Sequence, residues 1–125
     1  MLGTALKVTG IDHVVLHVGN LDRAKKFYVD LLGFSVAHEG GRQSFLKCGS
    51  QQVALFEVRG GTELHAGSEM NHMALRLAAG EYDEVKATLE AAGVKVHGRP
   101  GDDRCIYFDD PDGHHLQVLT LAEQH

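Results

Sequence analysis

Apolar and polar positions alternate weakly over Ile11-Asp12-His13-Val14-Val15-Leu16-His17-Val18, as in a half-buried strand. The period then changes. Leu21, Ala24, Phe27, Tyr28, Leu31 and Leu32 fall at helical spacing and form one apolar stripe, with Asn20 as N-cap in front and Gly33 as the stop behind. Three shorter runs follow: a strand over 34–38 turning at Gly40-Gly41, then strands over 44–47 and 52–58, split near Gly49-Ser50. This β-α-β-β-β order then starts again. Met70-Asn71-His72-Met73-Ala74-Leu75-Arg76-Leu77 repeats the first strand, with a histidine at the same third position. Tyr82, Val85, Leu89 and Ala92 line a helix near 81–92, and Gly93 stands where Gly33 stood. The second set of strands is expected over 94–97, 104–108 and 114–121. Arg99-Pro100-Gly101-Asp102-Asp103 forms the expected loop between the first two, and Asp109-Asp110-Pro111-Asp112-Gly113 the turn between the last two.

His13 and His72 stand 59 residues apart in a chain of 125, so the duplication accounts for nearly the whole sequence. The expected fold is α+β: one domain over 8–121, with module one at 8–58, a linker at 59–69 and module two at 70–121. The linker is loosest at Gly60-Gly61 and Gly67-Ser68. A duplicated unit carrying one metal-type ligand at the same place in each copy suggests a site where the copies meet.

Composition narrows the function classes. With a net charge of −5 and no basic stripe, a nucleic-acid partner is not expected. No apolar run approaches membrane length and the first residues show no leader pattern, so no membrane association and a cytoplasmic location are expected. Cys48 and Cys105 form no CxxC or finger spacing and read as reduced thiols. Of the nine histidines, His38, His65, His97 and His114 read as loop or surface residues, and His125 as a terminal one without a role.

Three segments carry a family resemblance: Phe27-Tyr28 with Leu32-Gly33-Phe34, Asn71-His72-Met73-Ala74-Leu75, and Phe108-Asp109-Asp110-Pro111-Asp112-Gly113-His114-His115-Leu116-Gln117-Val118. Over about residues 8–121 the chain resembles the vicinal oxygen chelate superfamily, which holds glyoxalase I, fosfomycin-resistance thiol transferases, extradiol dioxygenases and bleomycin-resistance proteins. The resemblance implies paired β-α-β-β-β modules that curl into a cup. It also implies a homodimer whose cups each take His13 from one chain and His72 and Gln117 from the other. In metal-dependent members a ligand lies early in the first strand of each half, which His13 and His72 match. A glutamate lies four residues after the turn glycine, where this chain has Gln117. The implied cofactor is a divalent Fe, Mn, Ni, Zn or Co ion. Glutamine offers a carbonyl oxygen without charge and cannot take a proton.

Glu57 is the candidate catalytic carboxylate, since glyoxalase I uses a glutamate on the corresponding strand. Setting Gly49 against Gly113 pairs Gln117 with Val53 and puts Glu57 on the same face, two steps on; one inserted residue would turn it to the other face. Strand parity adds substrate-binding candidates. His17 is in phase with His13, and His115 with Gln117. Tyr107 and Cys105 share a face, and Arg76 and Arg104 could grip a carboxylate or phosphonate. The implied function is a metal-dependent lyase, transferase or dioxygenase acting on a small substrate with vicinal oxygens. The alternative is a metal-free module that sequesters a ligand or drug, as bleomycin-resistance proteins do. With no Trp and only five Phe and three Tyr, a small substrate suits the chain better than a large flat ligand.

Overall fold

His13–Val18 forms β1, and Asn20 caps the helix that follows, its Oδ1 accepting from Arg23 N at 2.9 Å. The computed structural model describes residues 6–59, 70–99 and 102–119, without the side chains of residues 99 and 102–105. Residues 60–69 of the expected linker, Pro100-Gly101, residues 120–121, His65 and His125 therefore lie outside the described residues.

The first helix is α1 (Leu21–Lys25), which runs directly into a π-helical segment, Lys26–Leu31. The sequence stripe predicts one regular helix to Leu32. The structure widens its second half instead, with Leu32 N donating to Phe27 O at 3.1 Å. The widened turn lets two consecutive aromatics, Phe27 and Tyr28, both bury. Then come β2 (Ser35–Gly40), β3 (Gln43–Cys48) and β4 (Gln51–Glu57). The second module gives β5 (Met73–Arg76), α2 (Tyr82–Ala91), β6 (His97–Arg99), β7 (Asp102–Asp109) and β8 (His115–Leu119).

Each module folds its strands into a separate four-stranded sheet with the same order, β1-β4-β3-β2 and β5-β8-β7-β6. The first strand of each module pairs in parallel with the last, and the remaining pairs are antiparallel. Two expectations shift in module two. The alternation at 94–97 predicts a strand, yet pairing begins only at His97. Val94 and Val96 are apolar because they pack against the core ahead of the sheet. Asp102 and Asp103, read as loop, belong to β7.

One core joins the modules: Leu16, Val18, Tyr28, Leu46 and Leu55 from the first module with Ile106, Phe108, Leu116 and Val118 from the second. Phe27 and Phe108 meet across this junction with ring centroids 6.1 Å apart. Burial of about a dozen large apolar side chains at roughly 1.5–3 kcal/mol each is the dominant favourable contribution to folding.

Gly80, entering α2, has φ +120°, and an added Cβ would lie 2.8 Å from Val85 Cγ2. Gly80→Ala is expected to cost about 1–3 kcal/mol, from backbone strain with the clash added, read as a lower urea midpoint at unchanged slope. A midpoint equal to wild type would show that this loop relaxes freely.

Candidate metal and substrate site

The ladders decide which side chains share a face. In the first sheet His13 pairs with Gln52, Val15 with Ala54 and His17 with Phe56, and Phe45 pairs with Ala54 on the other side. These residues lie on the face opposite the core. Phe45 stands at the centre of an aromatic group there, 5.6 Å from the His13 ring, 6.1 Å from His38 and 5.9 Å from Phe56. His38, expected on a loop or the surface, is an exposed β2 residue, and its ring lies against Phe45 on the His13 face.

In the second sheet Ala74 pairs with Gln117, Tyr107 with Gln117, and Asp109 with His115. Leu75, Leu116, Val118, Ile106 and Phe108 take the core face, so the other face carries Ala74, Arg76, Tyr107, His115 and Gln117. His72 lies one residue before β5, in phase with Ala74, with its ring 5.8 Å from that of Tyr107. His97 pairs with Tyr107 from β6. Gln117 is buried, Arg76 is exposed, and Tyr107 is half-buried. Arg104 and Cys105 are β7 residues whose side chains lie outside the described residues.

The outer contacts of the histidines have one pattern. His13 Nδ1–H donates to Asp12 Oδ2 at 2.8 Å, and His72 Nδ1–H donates to Asn71 Oδ1 at 2.8 Å. In a neutral imidazole a donating Nδ1–H leaves the lone pair on Nε2. Metal-binding histidines are oriented in this way. The donor chemistry, two imidazole Nε2 atoms and the Gln117 amide oxygen, fits a divalent first-row ion. Among the described residues no three His, Cys, Asp or Glu side chains gather into a metal-binding group within one chain.

Glu57 is not on this face. Counting from the two histidines, Val15 opposite Ala54 corresponds to Ala74 opposite Gln117, so Gln117 matches Ala54 and not Val53. Ala54 lies five residues after Gly49 but Gln117 only four after Gly113, so the stretch entering β4 is one residue longer than the glycine alignment assumes, and that single step turns Glu57 to the helix side. There its Oε2 accepts from Leu21 N at 2.8 Å, a carboxylate at the first turn of α1 where the helix dipole favours it.

The turn that precedes Gln117 holds a buried polar hub. His114, read as a loop or surface residue, is buried, as are Asp110 and Tyr28. Tyr28 Oη–H donates to Asp110 Oδ2 at 2.6 Å and His114 Nδ1–H donates to the same oxygen at 2.7 Å. Asp110 Oδ1 accepts from Asp112 N and His114 N, each at 2.9 Å. Burial alone would raise the Asp110 pKa, but the hydrogen bonds from His114 and Tyr28 outweigh it and hold the carboxyl below its usual range. Burial, and then the Asp110 charge, hold the Tyr28 hydroxyl well above its usual value. Asp112 Oδ1 adds contacts from Gly19 N at 2.9 Å and Arg23 Nη2 at 2.8 Å, tying the turn to the first module. The signal for this hub was an aspartate opening a Pro-Asp-Gly turn, a residue that bonds its own backbone two positions on.

A cavity of about 350 Å³ lies on the helix side, lined by residues including Leu31, Leu77, Val85 and Leu89. No histidine lines it, so it is not part of this arrangement. No described helix is long and apolar enough to cross a membrane.

Metallothiol transferase FosB of Staphylococcus epidermidis is 28% identical over 117 residues, covering 90% of this chain and 84% of that protein. Glutathione transferase FosA of Serratia marcescens is 27% identical over 110 residues, covering 86% and 78%. The fosfomycin resistance protein FosX of Listeria monocytogenes shares the fold, with a TM-score of 0.74 at 23% identity over 94% of this chain and 97% of that one. The family model for the Glyoxalase/Bleomycin resistance protein/Dioxygenase superfamily matches residues 10–118, and with its paired sheets of one order this chain belongs to that superfamily, the vicinal oxygen chelate proteins.

Proposed function

We propose that this protein is a metal-dependent enzyme acting on a small substrate with vicinal oxygens, its divalent ion held by His13, His72 and Gln117. The observation that carries the reading is the pair of outer hydrogen bonds, Asp12 to His13 and Asn71 to His72, which leave both Nε2 atoms without a partner among the described residues. Likeness to a metallothiol transferase and a glutathione transferase supports group transfer from a thiol ahead of lyase or dioxygenase chemistry. The half-buried free thiol of Cys48 suits a reducing, cytoplasmic setting.

The two ligand-bearing faces belong to separate sheets, and a homodimer would close each over the other. Exposed apolar residues support this: Leu6 and Val8 are 81% and 85% exposed ahead of β1, Ile11 is 65% exposed, and Val15 beside His13 is 38% exposed. A bound ion supplies Lewis-acid polarisation of substrate oxygens. The chain's own residues do the remainder. Arg76 offers a guanidinium to an anionic group, while His17, Tyr107 and His115 line the two faces. Gln117 orients but takes no proton.

Metal content of untagged protein, with a divalent titration beside it, tests the reading. About one ion per chain is expected, as one site per cup of a two-cup dimer. No binding at micromolar concentration would replace it with the ligand-sequestering alternative. Gln117→Glu restores a charged ligand and is expected to tighten binding by roughly tenfold or more, the scale of about 1.4 kcal/mol. Unchanged affinity would remove Gln117 from the ligand set.

A further inference from the structure

His115 is the first residue of β8 and faces Asp109 across the antiparallel ladder. Its Nδ1–H donates to Asp109 Oδ1 at 2.7 Å. This is the outer arrangement of His13 with Asp12, repeated on a histidine that has no counterpart in the first module, where Gln52 holds the matching place beside His13. The β5/β8 ladder opens with Met73 opposite Leu116. One step back along these two parallel strands sets His72 beside His115, on the face of Gln117. Adjacent strands run roughly 5 Å apart, so neighbouring imidazoles on one face can reach a single ion. Gln117 lies diagonally from His72, two residues further along β8. The bond from Nδ1 of His115 to Asp109 on β7 leaves Nε2 as the ring nitrogen outside that contact.

We propose that His115 is a further metal ligand, paired with His72 from the same sheet and oriented by Asp109. The proposal rests on the metal-dependent reading above. Two histidines and a glutamine bring no negative charge to a divalent ion. A carboxylate hydrogen-bonded to a ligand imidazole increases the ligand's basicity and places compensating charge one bond further out. Asp12 on His13 and Asp109 on His115 supply two such carboxylates, so the charge missing at Gln117 is returned through the histidines.

The test uses the intact protein loaded with Co(II) alone. Proton NMR of the paramagnetic form should show three strongly shifted, exchangeable Nδ1–H signals, one each from His13, His72 and His115. In His115→Ala one of the three disappears, and Co(II) affinity by chelator competition falls roughly 10–100-fold. Asp109→Asn, which keeps an acceptor but removes the charge, keeps three signals with weaker binding. The His115 side chain is 63% exposed, so these substitutions leave the fold intact, as unchanged circular dichroism would confirm. Two shifted signals in the wild type, or equal Co(II) affinity in wild type and His115→Ala, overturns the role of His115 and leaves the His13, His72 and Gln117 site standing. A wild type that takes up no Co(II) overturns the metal-dependent reading itself, and this role with it.

Discussion

His72→Ala should leave the protein unable to retain a metal through purification. The substitution removes a ligand imidazole outright, so the loss exceeds the roughly 10–100-fold that typically follows removal of an outer partner such as Asn71. His13→Ala should do the same, although His13 lies in the other sheet. Mixing the two variants makes the sharper measurement. If each cup takes His13 from one chain and His72 from its partner, a mixed dimer holds one cup lacking both histidines and one cup lacking neither. Free exchange at equal amounts makes half of all dimers mixed, so about one quarter of wild-type metal sites should reappear on mixing. If instead each site is built within one chain, every mixed dimer carries two damaged sites and nothing returns. Retention of stoichiometric metal by either variant alone would take that histidine out of the ligand set. Ligand binding that survives in a metal-free His72→Ala protein would favour the sequestering alternative.

Element type and the duplication were legible because both hydrophobic periods are strong and occur twice. His13 and His72 stood out for the same reason: each repeats at one position of a repeated strand. Register was harder to read. Matching Gly49 to Gly113 aligns the two turns, but side chains reverse face at every residue, so one extra residue between Gly49 and its place on β4 is enough to move Glu57 from the site to a helix cap. The buried hub was hidden by composition. Aspartate and histidine in a Pro-Gly turn region read as solvent-facing, and the packing of Tyr28, from the apolar stripe of the first helix, against that turn accompanies their burial. His38 is exposed on β2 as a surface residue would be; what the sequence does not show is that it shares the face of His13 through Phe45. What escaped the sequence was therefore long-range: which face a strand presents, and which turn a helix covers.

Asp110→Ala is the substitution with the largest expected effect on stability. It leaves the Tyr28 hydroxyl, the His114 ring N–H and the backbone N–H groups of Asp112 and His114 without their acceptor in a region closed to water. Stranding several buried donors costs roughly 3–5 kcal/mol, a large part of the total for a domain of this size. Tyr28→Phe removes one donor and keeps the charge and the ring, and should cost about 1–2 kcal/mol. Because the folded pKa of Asp110 is depressed, its contribution is present above the unfolded value, near 3.9, and is lost as pH falls through the folded value. The stability gap between wild type and Asp110→Asn should accordingly be constant near neutrality and narrow below about pH 4, as the charge advantage of the aspartate disappears. Urea unfolding at neutral and acid pH measures both quantities. A gap that stays constant into acid would mean that the carboxylate contributes as a hydrogen-bond acceptor only. The hub's position gives the result a wider bearing, since Asp110 bonds Tyr28 while the neighbouring Asp112 bonds Gly19 and Arg23. The turn that delivers His115 and Gln117 to their face is the same turn that fastens the second module to the helix of the first.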